Sequence, residues 1–347
     1  MVIIRETNQQ IRYTNCNFPF PADAGKAPYD TNETGCYLTT FKVPKSFKNH
    51  QLRLRFEGVD SSFHLWVNGK EVGYSQGSRN PSEFDISNFV DAKGENVLAV
   101  QVYQYSDASY LEDQDQWWIS GIFRDVNLLA FPKVRIEDFQ VQTHLDKNYK
   151  DATLDIKVTV NNPTPVVAQL TDNAGQHIMS FQGAMAGPIR TFSIPIKNPK
   201  KWTAETPYLY QLTLSCGNSC VIEQRIGFRN MELKKGVFCV NGNPIVIRGV
   251  NRHEHHPDFG RAVPYEFLRR DLLLMKTHNI NGIRTSHYIN DIRLYDLADE
   301  LGLWILDECD LECHGFGEIG GNAAGWASDN PYVQSYSIFV FVNSESV

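Results

Sequence analysis

The sequence predicts a multidomain chain, β followed by α/β: two all-β sandwiches, then the opening units of a parallel α/β barrel. Three observations carry this. Period-two alternation broken by turn residues runs from about residue 36 to 130, and it returns from 134 to 228 with a different composition. Between Ile245 and Gly315, short apolar runs instead alternate with segments of helical period. The 347 residues leave room for two or three domains with sizeable cores.

In the first region Leu52, Leu54 and Phe56 alternate, as do Phe63, Leu65 and Val67. Asn68-Gly69 supplies the two positive-φ residues of a tight hairpin before Val72 and Tyr74. Val97 to Val102 is a further strand, and Ser109 to Val126 is dense in acids and aromatics. This is the pattern of a jelly-roll sandwich. The second region alternates at Leu154, Ile156, Val158 and Val160, stops at Asn161-Asn162-Pro163, and ends near Gly227-Phe228. Several short strands in about ninety residues suit an immunoglobulin-like sandwich, read here as a spacer.

The third region opens with the hairpin signal Asn241-Gly242-Asn243-Pro244 and reads β-α-β-α-β. Ile245 to Val250 predicts a buried strand, Leu268, Leu272 and Met275 a helix face, and Gly282-Ile283-Arg284 a second strand. Leu294, Leu297, Ala298 and Leu301 predict a helix stopped by Gly302, and Leu303 to Leu306 a third strand. Each apolar run stops at ionisable residues, and the C-terminal ends of parallel strands are where side chains converge on a rigid frame. After Leu306 the pattern lapses: 320–331 is Gly- and Ala-rich loop, and Ser337 to Val342 is an apolar, β-leaning, aggregation-prone run.

A formal charge of −7 without a Lys/Arg cluster argues against nucleic acid or an anionic membrane as partner. A neutral, polar substrate fits better. Seven cysteines at irregular spacing make no disulfide framework, so a reduced, cytoplasmic setting is expected. No segment is long enough to span a bilayer, and Val2-Ile3-Ile4 is too short for a secretory signal.

His253-Glu254-His255-His256 invites a metal reading, but the zinc-protease helix needs its second His where Pro257 stands. At a strand end, one or two of these imidazoles suit substrate hydroxyls while the others pack or face solvent. Glu312 and His314, two apart, point the same way in extended chain, either as part of a divalent-cation site or as a salt-linked surface pair. Arg284 and His287 end a strand, and a cation there needs a carboxylate partner. Trp117 and Trp118 beside Asp115 are either sandwich core or a sugar-stacking surface.

Taken together, a long ordered set of motifs resembles the large multidomain β-galactosidases of glycoside hydrolase family 2. It comprises Gly35-Cys36-Tyr37, Phe63-His64-Leu65-Trp66, Pro81-Ser82-Glu83-Phe84-Asp85 and Tyr110-Leu111-Glu112-Asp113-Gln114-Asp115. It continues through Ser120-Gly121-Ile122-Phe123-Arg124-Asp125-Val126, Arg248 to Pro257, Arg284-Thr285-Ser286-His287-Tyr288 and Asp307-Glu308. The resemblance implies a galactose-binding-like jelly roll over 1–133, an immunoglobulin-like sandwich over 134–229, an incomplete (β/α)8 TIM barrel over 230–331, and a tail of different character over 332–347.

By the same resemblance, Asn15, Asp115, His253 and His287 would bind the galactosyl unit, and Arg284 would sit beside the nucleophile. Glu312 and His314 would hold Mg2+, and Asp115 would help to hold a monovalent cation, Na+ or K+. The implied activity is retaining hydrolysis of terminal β-galactosides such as lactose, in a family whose full-length members are homo-oligomers. Departures follow. The family's acid/base Asn-Glu pair and its nucleophile find no match, since Asn343-Ser344-Glu345 lacks the preceding context, and Ile289 stands where proline is usual. The chain by itself is therefore expected to be inactive. Rival readings are a non-catalytic carbohydrate-binding protein and another family 2 glycosidase, β-glucuronidase or β-mannosidase.

Overall fold

The computed structural model describes residues 2–3, 12–14, 17–23, 26–183, 187–217 and 220–318. Its first layer pair is built by β1 (Thr34–Lys42), β2 (Gln51–Phe56), β3 (Ser62–Val67), β4 (Lys70–Gln76), β5 (Ser82–Asp85) and β6 (Glu95–Tyr103). A short β7 (Glu112–Asp113) and β8 (Val126–Phe131) complete it. One antiparallel sheet runs β1-β6-β3-β4 and the other β8-β2-β5. Alternation fixes which side chains meet: Leu52, Leu54 and Phe56 of one sheet pack on Phe63, Leu65, Val67, Leu98, Val100 and Val102 of the other. The β3–β4 hairpin turns on Asn68 and Gly69, with φ of 53° and 77°, as the dipeptide predicts. Asn68 also receives the Val97 amide on Oδ1 at 2.9 Å, which ties the turn to β6.

The second sandwich comprises β9 (Ile136–Leu145), β10 (Ala152–Val160), β11 (Val166–Thr171), β12 (His177–Gly183), β13 (Ile189–Ile196), β14 (Tyr210–Cys216) and β15 (Cys220–Ile226). Its sheets, β9-β10-β13 and β12-β11-β14-β15, enclose Leu154, Ile156, Val158, Val166, Leu212 and Leu214. The seven strands are the immunoglobulin-like count.

The third part holds three parallel strands in register, β16 (Gly249–Asn251), β17 (Gly282–Arg284) and β18 (Trp304–Leu306). Helices α1 (Tyr265–Thr277) and α2 (Ile292–Leu301) cover one face, burying Leu268, Leu272, Leu294, Leu297 and Ala298 against Ile283 and Leu303. Asp291 caps α2 by accepting the Arg293 amide, and Gly302 ends it in the left-handed region at φ 75°. No helix among the described residues is long and apolar enough to cross a membrane.

One expectation fails here. Ile245 to Val250 does not form a buried strand: pairing starts only at Gly249, and Val246 and Ile247 are 71% and 54% exposed. The other face of the three strands meets no second layer among the described residues. There Ile247, Val250, Ile283, Ile305 and Leu306 border a hollow of about 320 Å3. The expected Gly- and Ala-rich loop, Ser337 to Val342 and Asn343-Ser344-Glu345 lie outside the described residues.

Leu65 is wholly buried between the sheets of the first sandwich. Replacing it with alanine should cost that domain about 2–5 kcal/mol in denaturant unfolding and leave the transition of the second sandwich in place.

Candidate active site

The register Asn251–Arg284–Leu306 aligns three strand ends in a row, and the loops that leave them carry the polar cluster. β16 feeds Arg252 to His256, β17 feeds Thr285 to Tyr288, and β18 feeds Asp307 to His314. Each loop is pinned from behind. Arg252 donates from Nε to Asp271 on α1 at 2.7 Å. Thr285 and Tyr295 both donate hydroxyl protons to Asp307 Oδ1 at 2.8 Å. The Glu254 amide donates to the Tyr288 hydroxyl at 3.1 Å.

At the front of the row, His253 and His287 stand 5.5 Å apart between ring centroids. His287 Nδ1 lies 3.1 Å from Glu308 Oε2 and 3.1 Å from the Arg284 guanidinium. Arg284 Nε donates to the other oxygen of Glu308 at 2.5 Å. Burial alone would raise the Glu308 pKa, but the hydrogen bonds from Arg284 and His287 outweigh it and hold the carboxyl below its ordinary value. Burial also lowers the pKa of His253, and the neighbouring His287 lowers it further, so His253 is held neutral. Its Nδ1 is buried without a hydrogen-bond partner.

The four residues of the His-rich motif divide as alternation dictates. His253 faces His287, whereas Glu254 turns inward, where Arg124 of the first sandwich donates to it at 2.8 Å and the Asp291 amide donates to its other oxygen. His255 is pushed down to about 4, first by burial and then by Arg261. His256 packs on Phe267 and Phe259. No zinc-protease arrangement results.

The loop after β18 is held by the first sandwich. β19 (Glu312–Cys313) pairs in parallel with β7, and Asp113 accepts the Gly315 amide at 2.7 Å. Asp310 accepts Arg79 at 3.0 Å and Gln114 at 2.7 Å. Arg79 lies 3.6 Å from Glu112, and Arg261 donates to Asp60. These charges are almost wholly buried. Three carboxylates face two guanidiniums, which leaves one negative charge in excess. Burial, reinforced by Asp310, pushes Glu112 up to about 8, so a proton supplies the balance.

Glu312 and His314 do come together, with Oε1 and Nδ1 2.8 Å apart. Burial raises the Glu312 pKa, partly offset by His287 and His314. A carboxylate oxygen and an imidazole nitrogen are two donors of the six an octahedral Mg2+ needs. Among the described residues no group of three or more His, Cys, Asp or Glu completes the set. Cys309 is a free thiol. In the structure Glu312 and His314 face each other as a hydrogen-bonded pair.

From the other side, Asp115 accepts the Tyr13 hydroxyl at 2.6 Å. Tyr13 leans on Trp117 at 5.4 Å, and both rings are about half exposed. Trp118 instead packs with Phe18, Phe20, Tyr105, Tyr110 and Phe316, so the tryptophan pair is split between surface and core. Asn15 lies outside the described residues. Reading the sequence missed Glu308 as the partner of Arg284, and it missed Arg79, Gln114, Asp310, Arg261 and Glu254 as supports. The need of Arg284 for a carboxylate was the one available signal.

This frame, two β-sandwiches feeding the strand ends of a partial α/β barrel, is that of a family 2 glycoside hydrolase, and the chain belongs to that family. The description "Glycosyl hydrolases family 2, sugar binding domain" matches residues 5–132, and "Glycosyl hydrolases family 2" matches 134–229. The family's TIM barrel domain matches 231–343, which runs past Pro331, where the motif resemblance ends. The chain is 45% identical to the β-galactosidase of Kluyveromyces lactis over 337 residues, 88% of this chain and 33% of that protein. It is 45% identical to that of Pseudoalteromonas haloplanktis, over 91% of this chain and 32% of that one. The chain thus spans about a third of the length of the curated relatives it matches. Among solved structures it is similar to the Lactobacillus rhamnosus β-glucuronidase, at a TM-score of 0.78 and 28% identity, over 90% of this chain and 54% of that one. The Ruminococcus gnavus β-glucuronidase in complex with uronic isofagomine gives a TM-score of 0.79 over 90% of this chain and 55% of that one; at 22% identity it shows the fold alone.

Because Glu112 holds a proton more tightly when folded than when unfolded, its contribution to stability is complete below its unfolded value and fades as pH rises toward about 8. Glu112→Gln should therefore flatten the fall in melting temperature between about pH 5 and about pH 8, as read by thermal melts in matched buffers.

Proposed function

We propose that the strand-end site is the galactosyl-holding half of a β-galactosidase active site. The observation that supports this best is the convergence of His253, His287, Arg284, Glu308, Glu312 and Asp115 on the strand-end face. It occurs in a chain 40–45% identical to proteins named β-galactosidase. The β-glucuronidases share the fold at lower identity.

In this reading each residue has a task its surroundings fit. Neutral His253 bonds a sugar hydroxyl through a ring nitrogen. His287, held in orientation by Glu308, bonds a second hydroxyl. Asp115 accepts from a third, with the exposed face of Trp117 available for the apolar side of the ring. Arg284 carries positive charge to where a carboxylate nucleophile would be kept ionised. Glu312 and His314 would hold Mg2+ together with water, and Asp115 would contribute to a Na+ or K+ site. A metal held there would supply positive charge to the site.

Retaining hydrolysis uses two carboxyl groups about 5 Å apart, one protonating the leaving oxygen and one attacking the anomeric carbon. Among the described residues, Glu308 is committed to Arg284 and His287, and Glu312 to His314. On this reading residues 1–347 bind and position the sugar, and the chain by itself is expected to show negligible turnover.

Two measurements test this. The purified chain should show no turnover of a chromogenic β-galactoside above buffer; turnover abolished by Glu312→Gln would overturn the division of labour. In calorimetric titration, galactose should bind more tightly than glucuronate, and His253→Ala should weaken it by about tenfold, on the order of 1.4 kcal/mol. Preference for glucuronate would move the substrate assignment to the β-glucuronidases.

A separate titration with Mg2+, followed by the histidine proton resonances, should shift His314 in the native chain and leave it unshifted in Glu312→Gln. A His314 resonance indifferent to Mg2+ in both would remove the metal assignment.

A further inference from the structure

The outer face of the first sandwich carries a row of rings that the strand-end site does not use. Alternation on β3 turns Ser62, His64 and Trp66 away from the core, and Tyr74 lies directly opposite His64 on β4. Tyr103 of β6 stands opposite Ser62 on the other side. The rings follow one another: Trp66 stacks with His64 at 5.9 Å and 25°, and His64 lies 4.9 Å from Tyr74 and 6.0 Å from Tyr103. The row opens into a groove of about 510 Å3, bordered by Tyr29, Tyr74, Tyr103, Ser62, Asn32 and Asp107. Tyr29 is 96% exposed and Tyr74 46%, so the aromatic surface faces water rather than a core.

Exposed rings gathered in one place mark a surface that meets something. The chemistry around them narrows what. The groove is lined by hydroxyls, an amide and a carboxylate, with no Lys or Arg among its lining residues. Beside the row, Glu71 sits 3.0 Å from His64. Flat rings interleaved with hydroxyls suit a ligand with apolar faces and polar edges, and the carboxylates disfavour an anionic one.

We propose that this face is a second carbohydrate-binding surface, separate from the strand-end site, that takes a neutral oligosaccharide chain. Successive sugar rings lie on Tyr103, Tyr74 and Trp66, and Asp107 and the tyrosine hydroxyls hydrogen-bond their hydroxyl groups. Such a surface holds a polymeric or branched glycan while the strand-end site takes a terminal unit.

The test is calorimetric titration of the full chain with β1,4-linked galactotetraose and, as the charged counterpart, tetragalacturonate. The neutral tetrasaccharide should bind, and Tyr74→Ala and Tyr103→Ala should each weaken it at least about tenfold. Tyr74→Phe should retain most of the affinity because the ring remains, and free galactose, which fills only the strand-end site, should bind Tyr74→Ala as it binds the native chain. Tetragalacturonate should bind at least about tenfold more weakly. Three results would each overturn the proposal. They are no binding of the tetrasaccharide by the native chain up to about 10 mM, binding lost in His253→Ala but untouched in both alanine variants, or a dimer that Tyr74→Ala dissociates without altering sugar binding. The last would show the row to be an interface between copies of this chain. Tyr74 is largely exposed, so its variants should keep the native circular dichroism, which separates lost binding from lost fold.

Discussion

The arrangement depends on one buried ion network that crosses from the first sandwich to the loops of the parallel strands. Arg79 sits between Asp310, Glu112 and Asp60, and Arg261 reaches back to Asp60 from the far side. Ions removed from water bring little net stability, because desolvation offsets most of the attraction. What they bring is geometry: any register other than the native one leaves a charge buried without its counter-ion, at a cost of several kcal/mol. The network is thus a specificity device. It settles where the loop 307–314 lies relative to β7, and so where Glu312 and His314 point.

The same logic explains why the strand ends are polar without being disordered. Three short strands cannot position long loops by backbone pairing alone. Asp307 gathers two hydroxyls, Glu254 gathers a guanidinium and an amide, and Asp310 gathers a guanidinium and a side-chain amide. Each carboxylate takes donors from more than one part of the chain and so ties those parts together, while Asp310 Oδ2 stays buried without a partner.

Much of this architecture was legible from residue order. Alternation at Leu52-Leu54-Phe56 and Leu154-Ile156-Val158, the Asn68-Gly69 turn and the Gly302 stop signal are local rules, and the chain obeys them locally. The strand expected at 245–250 was not, because an apolar run reports that a face is available for burial and not that anything buries it. Site residues divided the same way. His253, His287 and Arg284 were visible as polar residues at the ends of apolar runs. Glu308 was visible as a residue but not as their partner, and the Arg79 network not at all. Its bonded partners lie up to 231 positions apart, and only folding brings them together.

The second sandwich, read from its pattern as a spacer, does more than set a distance. Trp202 donates its indole proton to the Asp299 carbonyl at 2.8 Å and meets Trp304 edge-on at 4.8 Å. Lys276 bridges the Ala204 and Gly302 carbonyls. Any β-carbon at Gly302 would run into the Ala204 backbone. The segment 202–204 therefore works as a chock under the last turn of α2, and the two stretches are interlocked rather than merely adjacent. In the descent of this family they should change as one character: an inserted or deleted residue in either would have to be matched by the other, although neither is near a sugar.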